Sequence, residues 1–221
     1  MIVLTLTLGL LPGFAWLLFY LSEDPHPEPK RLIVLTFFSG IAFGFFTIAL
    51  EQIWNNASTG WGIEVLSVAS LLALAFIEEF MKFAAAYFAV GKSPELDEPI
   101  DRMIYTVVAA LGFATLENIG AISSISPNVG FLTGALQTDS LRFVGATLLH
   151  SLTAGIIGYH WAKGTVIGKP ARQLVLGFAI ATSLHALFNY LILNYGGVAY
   201  TAVFLVVIGF FVLNDFEKLK A

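Results

Sequence analysis

The chain has 221 residues, 57% of them hydrophobic and 12% charged, against about 25% charged in soluble domains, and its mean hydropathy is +0.83. That composition excludes an ordinary soluble domain, and a formal charge of −4 with no basic stripe excludes nucleic acid as a partner. With no cysteine, disulfides, thiolate metal ligands and a cysteine nucleophile are excluded too.

The apolar residues fall into stretches of the length at which a helix, rising about 1.5 Å per residue, crosses about 30 Å of hydrocarbon. The first, 1–21, lacks the basic start and small-residue cleavage site of a signal peptide and reads as a spanning helix. The Pro-rich run 22–29 ends it. A second span covers 32–52, where Gly40 and Gly44 stand at the spacing of a close helix crossing, and the polar run 55–60 reads as the next turn. The third span is 63–90, ended by Gly91 and Pro94, and the fourth is 103–125, ended at Ser126, Pro127 and Asn128. Spans at 140–162, 172–194 and 197–214 follow, separated by Gly168, Lys169 and Pro170 and by Gly196 and Gly197. The expected architecture is an all-α polytopic transmembrane bundle of about seven spans, one integral-membrane domain over 1–221 with the lipid bilayer as its solvent. Lys30, Arg31, Lys92, Arg102, Lys163, Lys169, Arg172, Lys218 and Lys220 fall on one side of it, leaving Lys82 and Arg142 elsewhere. Basic residues gather on the cytoplasmic side, so the amino terminus is expected outside and the carboxyl terminus in the cytoplasm.

Charges inside the spans carry the functional signal. Glu78, Glu79 and Lys82 lie far from either end of the third span, where an ionised side chain costs about 2.5–3.5 kcal/mol to insert. Helical spacing makes Glu78 and Lys82 an i,i+4 pair, with Glu79 turned about 100° away. A pair that only fixes packing would need one glutamate. Glu117 lies deep in the fourth span beside Asn118, His150 lies in the fifth, and His185 precedes Asn189 by one turn in the sixth. Each alone reads as a satisfied core residue. Together they agree in depth: counted from the outer ends, Glu117, His150 and His185 lie roughly 12–15 Å down and Glu78 about 20 Å. Glu51 and Glu64 flank the first outer loop and read as solvated, Arg142 reads as snorkelling to the outer interface, and His160 reads as interfacial.

There is no zinc-binding pair of histidines around a glutamate, no nucleophile elbow and no aspartate inside a span. Two chemistries remain: a carboxylate base with histidine donors, or a metal such as zinc held by His150, His185, Glu78 and Glu117. The metal-free version is preferred, because Asn189 can serve as an oxyanion donor and the sequence identifies no acceptor to back a ligating histidine. A proton- or ion-coupled transporter and a noncatalytic membrane scaffold are the alternatives; no paired halves support the first.

At these positions the chain resembles the PrsW family of intramembrane proteases, within the broader clan of prenyl-protein endopeptidases and bacteriocin-processing proteins. The resemblance rests on Glu78, Glu79 and Lys82; on Phe113, Glu117 and Asn118; on His150; and on His185 and Asn189, in that order on successive spans. The segment 96–105 and the early Glu28 and Pro29 extend it. It implies cleavage of membrane-anchored proteins in a prokaryotic cell membrane, with anti-sigma factors as the best-known substrate class. It also implies Glu78 and Glu79 as the essential pair, with Glu117, His150, His185 and Asn189 as site members. The prenyl-endopeptidase branch carries an arginine one position beyond Lys82 and a histidine where this chain has Glu117, which argues against prenylated substrates.

Overall fold

The computed structural model describes residues 1–126, 130–195 and 198–220, with nothing said of the side chain of Val198. Eight helices make up the described chain: α1 (Ile2–Leu21), α2 (Lys30–Gly60), α3 (Val68–Val90), α4 (Pro99–Ser123), α5 (Phe131–Val144), α6 (Ala146–Val166), α7 (Pro170–Tyr195) and α8 (Val198–Lys220). Six segments are long and apolar enough to cross a membrane, α5 and α6 counting as one. The helix α3 has the length, 23 residues, but its Glu78, Glu79 and Lys82 keep it out of that set. The bundle is therefore the expected all-α one. The expected breaks at Pro127 and Asn128 and at Gly196 and Gly197 lie outside the described residues.

Two boundaries differ from expectation for identifiable reasons. The run 55–60 is helical: Ser58 and Thr59 donate to the carbonyl of Asn55 and Gln52 donates to Asn56, so these polar side chains bond back along the helix instead of opening a turn. The chain breaks instead at Gly62, whose φ of +72° suits glycine. The fifth span is divided at Gly145, so that α5 is a separate helix ahead of α6.

The centre of the bundle is α4, which packs against α1, α2, α3, α5, α6 and α8. A capping box of Glu98 and Asp101, with Pro99 in the first turn, starts it. Every residue from 103 to 115 is buried, as befits a helix apolar on all sides and surrounded by others. Close approach depends on glycine: a Cβ on Gly40 would lie 2.0 Å from the carbonyl oxygen of Ala109, and one on Gly112 would lie 2.0 Å from that of Phe37. Backbone contact of this kind is how helices associate where lipid supplies no hydrophobic drive. Phe45, Phe46, Val203, Phe210 and Phe211 point outward, where hydrocarbon would meet them.

Candidate active site

Four helices converge on one polar layer. From α3, Glu79 and Lys82 are fully buried, and Lys82 Nζ donates to Glu79 Oε1 at 2.6 Å. This i,i+3 pair replaces the expected i,i+4 pairing with Glu78. Both side chains turn toward α6 and α7, where Lys82 also reaches Thr153 Oγ1 at 3.3 Å and His150 Nδ1 at 3.1 Å. Its three N–H groups thus have three acceptors. Glu79 Oε1 also accepts from Thr153 Oγ1 at 2.9 Å and meets His185 Nδ1 at 2.7 Å.

Glu78 is placed differently. Its Oε2 is buried without a hydrogen-bond partner and faces both imidazoles, 3.5 Å from His185 Nε2 and 3.9 Å from His150 Nδ1. The two rings meet edge to face with centroids 5.2 Å apart. On the far side of His150, Nε2 lies 3.0 Å from Glu117 Oε2, which Arg142 Nη2 also approaches at 2.8 Å. Arg142 Nε donates to Asn118 Oδ1, and Asn118 Nδ2 donates to Thr147 Oγ1 at 3.1 Å.

These contacts assign the tautomers through the network. His185 Nδ1 faces a carboxylate oxygen and carries the proton, leaving a lone pair on Nε2. His150 Nε2 faces Glu117 Oε2 and carries the proton, leaving Nδ1 to accept from Lys82. Glu78 Oε2, His185 Nε2 and His150 Nδ1, the last accepting from Lys82, therefore converge on one small space, and suitable ligand atoms of these residues lie within 4.8 Å of one another. Two of the lone pairs there, on Glu78 Oε2 and His185 Nε2, have no donor among the described residues and repel, so such a space suits a cation, and a metal on His150 Nδ1 would take the place of its contact with Lys82. Both histidines are backed on the other ring nitrogen by a carboxylate, Glu79 or Glu117, which is how metal-ligating histidines are held. The premise behind the metal-free preference, that no backing acceptor exists, does not hold. Glu117 is one of those acceptors, with Oε2 already engaged, rather than a member of the converging set.

Glu78, Glu79, Glu117, His150, His185, Lys82 and Asn118 are thus all in this layer. Asn189 is half-buried one turn along α7 from His185 and makes no hydrogen bond to the layer among the described residues. Two residues join that the sequence reading left out. Arg142 does not snorkel; it turns inward onto α4. Glu51 is not at a loop, because α2 runs nine residues beyond it to Gly60, about 14 Å at the helical rise, and its carboxyl lies on the side of Glu78 and Glu117. Continuing the helix through Asn55 and Asn56 would have put Glu51 at the depth of the other acids. Elsewhere, Glu64 is exposed as expected, whereas His160 is buried rather than interfacial, held by Gln173 Oε1 at 2.8 Å beside Gly177. Outside the spans, Glu28 accepts from Tyr105 at 2.5 Å, and burial, with Asp101 close by, raises its carboxyl to about 8.

A membrane-embedded bundle with a buried glutamate and histidine centre defines the class: an intramembrane hydrolase. The chain belongs to the family described as PrsW family intramembrane metalloprotease, whose model matches residues 28–214. Among its relatives, a Protease PrsW of Geobacillus kaustophilus is 30% identical over 188 residues, covering 84% of this chain and 78% of the relative. One of Bacillus subtilis is 25% identical over 217 residues, 96% of this chain and 94% of its own length. One of Clostridioides difficile is 28% identical over 190 residues, 84% of this chain and 78% of its own. No solved structure matches the chain significantly. The protein is an intramembrane peptidase, integral to a prokaryotic cell membrane.

Proposed function

We propose that this chain, acting as one integral-membrane domain, is a metal-dependent endopeptidase that hydrolyses a peptide bond of membrane-anchored proteins at Glu78, His150 and His185. The observation that supports it most is the convergence of three candidate ligand atoms, with both imidazoles backed by carboxylates, at one depth in the bundle. Zinc suits a donor set of two histidines and one carboxylate. Bound there, it would polarise the scissile carbonyl and make water acidic enough to attack at neutral pH.

The chain's own groups do the rest. Glu79 acts as an orienting group: its Oε1 receives Lys82, Thr153 and His185, and so it fixes the His185 ring. Glu78 is the reacting member of the pair, because its Oε2 faces both imidazoles, and with Oε2 in the ligand set its other oxygen is left to take the proton from water. Lys82 neutralises Glu79, so two adjacent glutamates can be housed in the interior. The cytoplasmic carboxyl terminus, the external amino terminus and the regulatory, anti-sigma-factor-like substrates implied by the resemblance belong to the same proposal.

Purified protein reconstituted with a single-pass substrate provides the test. The expected result is about one zinc per chain, cleavage lost on chelation and restored by zinc, and no cleavage by a folded Glu78→Gln variant while Glu64→Gln cleaves normally. Full cleavage by metal-depleted protein would sink the metal-dependent mechanism. Full cleavage by Glu78→Gln would remove Glu78 from the chemistry.

A further inference from the structure

The helices α1 and α2 both pack on α4 but meet each other only lightly, through Phe14 and Phe37, whose ring centroids are 5.8 Å apart. Between them runs a groove of about 370 Å³, from Leu17 and Ile33 at one end to Leu10 and Ile41 at the other, with Thr115 and Ile119 of α4 in its wall. Thr115, the one polar residue of that wall among the described residues, donates back to the carbonyl of Leu111 at 2.9 Å. A space so apolar holds no water, and left empty it would forfeit the dispersion contacts of its lining, so in a bilayer hydrocarbon fills it. Its length along α2 is eight residues, about 12 Å, which leaves a section of about 30 Å² against about 80 Å² or more for a helix with its side chains. One hydrocarbon chain fits there and a transmembrane helix does not. Val34 and Phe38, 55% and 61% exposed, stand at its mouth and leave it open to lipid.

The end of the groove is basic. Lys30 lies three residues before Ile33 and four before Val34, so it continues the groove's stripe on α2, with Arg31 beside it. Both are exposed, and neither side chain has an ion pair or hydrogen bond among the described residues. The first turn of α2 holds no acid. The acids of the connection before it are engaged elsewhere: Glu23 receives Lys220 at 2.8 Å, Asp24 accepts from the amide of His26 at 2.9 Å, and Glu28 accepts from Tyr105. Two uncompensated cations therefore stand where a chain lying in the groove would meet its headgroup.

We propose that this groove binds an anionic glycerophospholipid, one acyl chain lying between α1 and α2 and the phosphate resting on Lys30 and Arg31. A zwitterionic headgroup would bring an ammonium toward the same two cations, so the site selects a lipid of net negative charge. The inference stands apart from the peptidase reading: Thr115 and Ile119 lie two residues either side of Glu117, on the opposite face of α4.

The test titrates delipidated full-length protein in detergent with phosphatidylglycerol, phosphatidylcholine or inorganic phosphate, and counts what is bound by native mass spectrometry. Wild type should hold one phosphatidylglycerol per chain about thirtyfold more tightly than phosphatidylcholine, since each basic residue beside an anionic headgroup is worth a factor of roughly five. Lys30→Gln with Arg31→Gln should erase that preference. Lys163→Gln with Lys169→Gln, which removes the same charge from α6 and the turn after it, should keep it. Val34→Trp fills the mouth of the groove from an exposed position and should abolish tight binding of both lipids. Equal binding of the two lipids by wild type, or an unchanged preference after Lys30→Gln with Arg31→Gln, overturns the inference. Inorganic phosphate held as tightly as phosphatidylglycerol overturns it too, because the groove then contributes nothing. So does wild-type lipid retention by Val34→Trp; loss of a bound single-pass peptide in that variant would then make the occupant a protein segment, and conversion of a dimer to a monomer would make it a second copy of this chain. Should Val34→Trp not fold, the charge variants decide alone.

Discussion

Lys82 and Glu79 form an ion pair 1% and 0% exposed, and the ammonium also serves His150 and Thr153. Lys82→Met removes the only full positive charge in contact with Glu79 among the described residues, leaving a buried carboxylate with Thr153 and His185. Breaking such a pair from one side costs about 3–5 kcal/mol, because the remaining charge is left uncompensated. Removing both charges with Lys82→Met and Glu79→Gln leaves no orphaned charge, and the double variant should recover most of that loss. Function should not recover, because His185 has lost its carboxylate; zinc affinity is expected to stay about 10–100-fold down. Unfolding free energies of the four proteins in one bicelle composition close the double-mutant cycle. If Lys82→Met costs less than about 1 kcal/mol, or if the double variant is less stable than both singles, the ammonium is not what holds Glu79 in the interior.

Three further expectations concern regions away from the layer. Glu28, raised by burial from 4.5 to about 8, stays protonated in the folded protein where the unfolded chain ionises, so stability should fall as pH rises across that window and level off above it. Glu28→Gln should flatten that slope in thermal unfolding, and a slope of opposite sign in wild type would contradict the assignment. Reporter fusions at residue 95 and at the carboxyl terminus should read cytoplasmic and one at Gly62 external; the reverse pattern would invert the topology. Gly40→Ala puts a methyl 2.0 Å from the Ala109 carbonyl oxygen and should separate α2 from α4. Its unfolding temperature should drop well below that of a lipid-facing Phe45→Ala control, and equal temperatures would mean that the crossing is looser than described.

The acids and histidines were legible in the sequence because lipid makes them conspicuous. Glu78, Glu79, Glu117, His150 and His185 each interrupt a long apolar run, and counting along the helices was enough to put them at one level. Lys82 was legible as a residue but not as a partner, because helix geometry permits both i,i+3 and i,i+4 pairing and only the positions of α6 and α7 choose between them. Glu51 and Arg142 were missed for a shared reason. Each sits near an end whose location depends on whether a polar stretch continues or breaks a helix, and that is decided by local back-bonding at 55–60 and by the division at Gly145. That Glu79 and Glu117 back the two imidazoles could not be read, since each pairing joins different helices, α3 to α7 for His185 and α4 to α6 for His150.

The enclosure of α4 has a consequence for how the protein is made. Glu117 and Asn118 leave the ribosome before α5 and α6, the helices that satisfy them, so for a time they must wait in the translocon or in lipid unpaired. That wait is short by the layout of the chain. Arg142 follows Glu117 by 25 residues and His150 by 33, so both partners are synthesised within about 2–7 s at 5–20 residues per second. The buried acids of α3 wait longer, since His185 lies 106 residues beyond Glu79, but Lys82 is only three residues away and travels with it. The order of helices along the chain therefore keeps Glu79 and Glu117 each close, in time, to a cation of its own.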